Sequence, residues 1–146
     1  MRLLCVLSLF LLTIPTAATG QTKSPMALFP ATEIEWKDGP PALPKGAKLA
    51  VLEGDPTQPG MFTMRLRIPA GSKVMPHWHP RPERVTILSG KVAVGFGDKW
   101  DEKDMHGFNG GDFYVNPAES HHFVGFPRTS VIQITGEGPW ELHLLK

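Results

Sequence analysis

Two histidines one residue apart are the first feature of this chain with chemical content: His77-Trp78-His79, followed by Pro80-Arg81-Pro82 and then Glu83. On an extended segment, residues two apart point to the same face, so His77 and His79 converge while Trp78 points away. The Pro80-Arg81-Pro82 stretch predicts a tight, rigid reversal that returns Glu83 beside the two imidazoles. Imidazole nitrogen and carboxylate oxygen suit a borderline divalent transition metal, with Mn, Fe, Ni, Cu and Zn all compatible with that donor set. A His-x-His pair alone is a weak sign of a site. The carboxylate at the right distance makes metal binding the better reading.

Such a site needs a rigid frame, and the chain reads as all-β. Fifteen glycines and fifteen prolines spread along the sequence leave few windows long enough for a helix. Short β-branched and aliphatic segments separated by turn clusters predict a sandwich or barrel. Strands are expected at Glu33–Trp36, Lys48–Glu53, Phe62–Ile68, Val74–His79, Arg84–Leu88, Lys91–Phe96, Asp112–Val115, His122–Phe126, Ser130–Thr135 and Trp140–Leu144. Turns are expected at Asp38–Pro41, Gly54–Pro56, Pro69–Gly71, Ser89–Gly90, Asn109–Gly111 and Gly136–Pro139. Alternation places Met64, Leu66 and Ile68 on an interior face and Thr63, Arg65 and Arg67 on the other. Gly97–Asp104 is too charged for a core strand and reads as a solvated loop.

The spacing of the site residues resembles a known pattern. Gly71, five residues, His77, Trp78, His79, three residues, Glu83, six residues and Gly90 match the first sequence motif of the cupin superfamily at its fixed positions. Gly111, five residues, Pro117 and then Ala118-Glu119-Ser120-His121-His122 resemble the second. There Glu119 stands where the family usually has glycine, and Phe126 where it often has asparagine. The resemblance runs from about Gly71 to Phe126 and implies a single-domain cupin-type β-barrel, a jelly-roll-like double-stranded β-helix. It also implies that His122 completes a metal set of His77, His79, Glu83 and His122. A side chain at Glu119 needs a turn that either avoids positive φ or tolerates its cost. His121 projects to the opposite face if the segment is extended, and would replace or assist His122 only if a bulge exchanged their directions. The Gly136-Glu137-Gly138-Pro139-Trp140 tail resembles one found in small bacterial single-domain cupins and adds little about chemistry.

Other candidates carry blander expectations. His106 and His143 read as surface histidines, and Gly95-x-Gly97, with no following helix or phosphate-binding lysine, serves a turn. Trp78, Phe96, Phe113 and Phe123 either line a ligand pocket or simply pack, with packing the commoner role on barrel strands. Gln133 and Thr135 share a strand parity and are expected to supply the hydrogen-bonding partners that histidine ligands need on their second nitrogen.

A cupin with an open metal position implies an enzyme acting on a small organic molecule, with a dioxygenase-type oxidoreductase as the leading expectation. The alternative is a non-catalytic protein that binds metal or a small ligand. The apolar run Leu3–Ile14 ahead of Pro15 and Thr16–Gly20 has the grammar of a signal peptide over residues 1–20, cleaved after Ala18 or Gly20. Export to the periplasm or beyond is therefore expected. Cys5, the sole cysteine, lies within that run, so the mature chain would have no thiol for a disulfide or a metal. Residues 21–32 read as an extended arm whose Met26, Leu28 and Phe29 pack on a neighbour, and residues 33–146 as the domain. A homodimer is the expected assembly. Without Arg2 the charges balance at fourteen basic and fourteen acidic side chains, with no basic patch. Nucleic acid and anionic membranes are thereby poor partners.

Overall fold

The structure is a computed structural model that describes residues 26–145. The expected signal peptide and the first part of the arm lie outside the described residues. The chain forms β1 (Lys37–Asp38), β2 (Lys48–Glu53), β3 (Gly60–Ile68), β4 (Ser72–Trp78), β5 (Glu83–Ser89) and β6 (Lys91–Phe96). A 3₁₀ turn at Glu102–Asp104 follows, then β7 (His106–Asn109), β8 (Phe113–Asn116), β9 (His122–Phe126), β10 (Ser130–Gly138) and β11 (His143–Leu144). All strand pairs are antiparallel and fall into two sheets, β1-β2-β3-β10-β5-β8 and β11-β4-β9-β6-β7. The fold is thus the expected all-β, jelly-roll-like architecture, flattened into two facing sheets.

Alternation along β3 decides what the sheets bury. Phe62, Met64, Leu66 and Ile68 are buried, and they join Val74, Val85, Ile87, Val92, Val94, Val124, Ile132 and Ile134 in one core. Thr63 and Arg65 lie on the other face, where they meet Thr135 and Gln133 of β10. Gln133 and Thr135 therefore face away from the core, and the expectation that they support histidine ligands is not met. Their outward parity follows from the register in which Gln133 opposes Arg65 and Thr135 opposes Thr63.

Several boundaries differ from the sequence expectation for identifiable reasons. Residues 33–36 form no strand; Trp36 instead lies under the Arg67 guanidinium, 4.3 Å from the ring centroid. β10 runs on to Gly138, through the expected turn, because Gly136 leaves room for the Phe62 ring and Gly138 pairs with Gly60. Strand β7 was not expected, since His106-Gly107-Phe108-Asn109 lacks β-branched residues. It forms as an edge strand on β6, with Phe108 packed against Tyr114 at 4.8 Å. His106 is consequently on a strand, though still exposed.

The charged loop has a structural role. Asp101 caps the 3₁₀ turn by accepting from the Lys103 amide, and Trp100 packs on the buried Phe123 at 5.2 Å. Phe123 faces away from the core across from Gly95, where a Cβ would overlap its ring. Gly95 is thus in a strand and serves close packing rather than the expected turn. In the arm, Met26 and Leu28 are exposed and Phe29 is partly so, beside β2.

Candidate metal centre

The histidines owe their direction to a defect in β4. Val74 opposes Val124 of β9, yet the next pairing is His77 with His122, so β4 carries one residue more than its partner over this stretch. This bulge spans Met75 and Pro76. Simple alternation from the buried Val74 would turn His77 outward, and the extra residue restores it to the interior. His77, His79 and His122 are all buried, while Met75 is half exposed.

The three donor atoms lie within 4.8 Å of one another. His77 and His122, opposite each other on neighbouring strands, have ring centroids 4.1 Å apart, and His79 stands 5.0 and 5.2 Å from them. Each ring is fixed through Nδ1, which lies 2.7 Å from the Met75 carbonyl in His77, 2.6 Å from the Glu141 carbonyl in His79 and 2.9 Å from the Ser120 carbonyl in His122. A carbonyl oxygen only accepts, so each Nδ1 carries the proton and each Nε2 keeps its lone pair. That is the tautomer a metal ligand requires.

Electrostatics points the same way. Burial drives the His77 pKa down to about 3, reinforced by repulsion from His122 and His79 and opposed by the bond to Met75. His122 is also lowered, again chiefly by burial. Its Nε2 is buried with no hydrogen-bond partner among the described residues, an arrangement that costs free energy unless something electron-poor occupies the space in front of it. The residues present therefore fit a divalent transition metal.

Glu83 stands at the edge of this trio. Its Oε2 is 3.3 Å from His79 Nε2. Trp140 Nε1–H donates to Oε1, and Asn116 Nδ2–H donates to Oε2 at 3.0 Å. Glu83 does come beside the histidines as expected, though not by a hairpin. Residues 79–82 cross from one sheet to the other, and β5 pairs with β8 and β10 rather than with β4.

His121 is outside the cluster. It bonds Asp98 at 2.6 Å on the opposite face, so no bulge exchanges it with His122. Glu119, at φ 60°, tolerates the left-handed turn, and its amide donates to the His79 carbonyl at 2.8 Å. His143 stacks on Trp78 at 4.2 Å and bonds Glu141 at 2.7 Å. Phe96 and Phe113 are exposed, and neither they nor Trp78 and Phe123 line the cavity at the site.

Sequence reasoning missed the roles of Asn116 and of the segment Pro139–Leu145, where it expected a strand over Trp140–Leu144 and the structure pairs only His143–Leu144. Trp140 reaches Glu83, the Glu141 carbonyl orients His79, β11 pairs with β4, and the Leu145 amide bonds the Pro76 carbonyl. A tryptophan following Gly-Pro was a visible signal, but its target was not. The cavity at the site measures about 40 Å³, room for a few heavy atoms. Apolar side chains such as Leu43, Val85, Phe126 and Leu142 line most of it, Tyr114 and Asn116 add polar groups, and among the described residues its lining includes neither lysine nor arginine.

Comparison with known proteins places this geometry. A model of the ChrR Cupin-like domain matches residues 24–141. Among solved structures, the acetylacetone dioxygenase of Acinetobacter johnsonii is 18% identical with a TM-score of 0.67, covering 91% of this chain and 85% of that one. The polyketide cyclase RemF of Streptomyces resistomycificus is 13% identical with a TM-score of 0.67, covering 83% and 86%. An RmlC-like cupin from Shewanella frigidimarina is 17% identical with a TM-score of 0.59, covering 78% and 91%. No curated protein matches the chain. These likenesses share the fold, and the family model spans most of the sequence: the chain belongs to the ChrR cupin-like family of the cupin superfamily.

Proposed function

We propose that this protein is a metal-dependent oxidoreductase of dioxygenase type acting on a small organic molecule, with His77, His79, Glu83 and His122 holding one divalent ion. The observation that carries the reading is the common tautomer of three buried imidazoles, each with Nδ1–H on a backbone carbonyl and Nε2 free for the interior. A redox-active ion such as Fe, Mn, Ni or Cu would supply Lewis acidity toward a substrate oxygen and a route for electrons to dioxygen. The chain supplies the rest. Apolar walls exclude water, and the absence of lysine and arginine from the lining disfavours phosphorylated or polyanionic substrates. Glu83, with Trp140 and Asn116 bonded to its two oxygens, adds an oxygen donor beside His79. The fold is shared with an acetylacetone dioxygenase, which makes compact diketones the first substrates to try.

The test is metal analysis of the protein purified without chelator, beside His77→Ala/His79→Ala, followed by oxygen uptake with diketones, phenols and organic acids. About one redox-active ion per chain, lost in the variant, together with oxygen uptake supports the reading. No uptake with any redox-active metal sinks the dioxygenase assignment. The smallness of the cavity favours a second reading, a non-catalytic protein that sequesters metal or a small ligand, which predicts tight binding and no turnover. Zinc in the purified protein would favour that reading or a hydrolytic or isomerase role. The proposal includes export with residues 1–20 removed, residues 21–32 as an arm, residues 33–146 as the domain and assembly as a homodimer. N-terminal sequencing and sedimentation test those points. Among the described residues no helix is long and apolar enough to cross a membrane.

A further inference from the structure

We propose that Asn116 is a substrate-binding residue whose side-chain oxygen accepts a hydrogen bond from a hydroxyl group of the molecule that occupies the cavity. The ligand class that follows is a small α-hydroxy carbonyl compound, a hydroxyketone or hydroxy acid. Its carbonyl or carboxylate oxygen goes to the ion and its hydroxyl to Asn116. This rests on the reading of the site as a metal centre.

The amide of Asn116 is 1% exposed, and its two ends are treated differently. Nδ2–H donates to Glu83 Oε2 at 3.0 Å, a bond delivered by the direct opposition of Asn116 and Glu83 on β8 and β5. A carboxylate accepts, so the amide nitrogen must face Glu83 and the oxygen must face elsewhere. Oδ1 is buried and has no hydrogen-bond partner among the described residues. His122 Nε2 shares that condition, and both residues line the same cavity. The two atoms are complementary, since the imidazole lone pair suits a cation and the amide oxygen suits an O–H group. An unpaired buried acceptor costs roughly tenfold or more in an equilibrium constant, and a bound donor removes that cost. Tyr114, two residues earlier on β8 and so on the same face, is the other polar side chain of the wall outside the donor set; the Trp140 N–H is already bonded to Glu83. The hydroxyl must lie close to the oxygen that the ion takes. Asn116 touches Glu83, Glu83 Oε2 is 3.3 Å from His79 Nε2, and a cavity of about 40 Å³ holds few heavy atoms. Two oxygens on neighbouring carbons meet both demands. A diketone satisfies Oδ1 only through its enol hydroxyl, whereas an α-hydroxy carbonyl compound does so directly.

The experiment measures the affinity of the Zn²⁺-loaded full chain for glycolate and for fluoroacetate, by calorimetry, in the parent and in Asn116→Leu. The two probes share a carboxylate, and fluorine takes the place of the hydroxyl at similar size with no proton to donate. The preference for glycolate over fluoroacetate is expected to fall by about tenfold in Asn116→Leu. Any change that the variant makes to Glu83 or to the ion acts on both probes through their shared carboxylate and cancels in the ratio. A preference unchanged within about threefold, with both probes weakened equally, would confine Asn116 to its bond with Glu83 and overturn the proposal. A parent that binds Zn²⁺ but neither probe would overturn it as well. Should Asn116→Leu not fold, a crystal structure of the Zn²⁺-loaded parent with glycolate decides. The glycolate hydroxyl is expected within about 3 Å of Oδ1, and an ordered water kept on Oδ1 in its place would refute the assignment. If the parent binds no Zn²⁺, the reading of the site fails and the proposal with it. Zn²⁺ binding with an unchanged preference sinks the proposal alone.

Discussion

His122 offers a test of whether stability has been given up for metal binding. Its Nδ1–H bonds the Ser120 carbonyl at 2.9 Å, but its Nε2 is buried without a partner, and its neighbours include Val124 and Phe96. Replacement by leucine removes the orphaned acceptor, a gain of about 1–3 kcal/mol, and loses one hydrogen bond, a cost of about 0.5–1.5 kcal/mol. The side chain is of similar volume and the adjoining cavity can absorb the difference in shape. In the metal-free protein His122→Leu should therefore leave stability within about 1 kcal/mol of the parent, or raise it. A fully satisfied buried histidine would instead lose several. Zn²⁺ at a hundred times its Kd should add about 2.7 kcal/mol to the parent and nothing to the variant. For a domain of this size that is roughly a 10 °C rise in Tm. Urea titration and thermal melts with and without Zn²⁺ measure both. A metal-free variant destabilised by more than about 3 kcal/mol would refute the claim that Nε2 is strained by lacking a partner. A variant still stabilised by Zn²⁺ would refute the role of His122 as a ligand.

The remaining expectations test the frame around the site. Glu119→Gly should relieve the positive φ and raise stability by up to about 1 kcal/mol in thermal melts, the gain being limited by the greater freedom of unfolded glycine. A loss would show that the turn is not strained. Gly95→Ala should cost about 1–3 kcal/mol through overlap with Phe123, with partial rescue by Phe123→Leu in urea denaturation; an additive pair would refute the clash. Acid should weaken the metal-free protein through His77. Its folded pKa of about 3 lies below the unfolded value of 6.5, so the contribution is fully present above pH 6.5 and is lost as pH falls toward 3, about 2–3 kcal/mol being gone by pH 4.5. A His77→Asn variant should lack that part of the slope, and an unchanged slope would remove His77 as its source. Leu142→Ala, by loosening the segment that orients His79, should weaken Zn²⁺ binding by tenfold or so without altering the fold by circular dichroism.

Much of the fold was legible because alternation is a local property. Met64, Leu66 and Ile68 announce an interior face wherever β3 lies, and the two-residue spacing of His77 and His79 survives any placement of their strand. Glu83 and His122 were legible through the spacing of glycines and prolines around them, which record turns rather than chemistry. Features that depend on contact between distant segments were not readable. Gln133 and Thr135 share a parity, but parity within one strand does not say which parity looks inward. The register of β10 against β3 decides it. The bulge at Met75–Pro76 was equally hidden, since only the pairing with β9 reveals that one residue is extra. Gly95 read as a turn because its reason for being glycine is the Phe123 ring of another strand.

The same distinction separates the three imidazoles. His77 and His122 are each oriented by a carbonyl two residues earlier in the chain, Met75 and Ser120, so their tautomers follow from local conformation once β4 and β9 pair. His79 is oriented by Glu141, sixty-two residues away, and Glu83 by Trp140, fifty-seven away. Half of the site is thus assembled by two adjacent strands, and the other half by the docking of Pro139–Leu145 on β4. That segment is held by the pairing of β11 with β4, by the bonds of the Trp140 and Leu145 amides to the Pro56 and Pro76 carbonyls, and by the packing of Trp140 and Leu142 against the core.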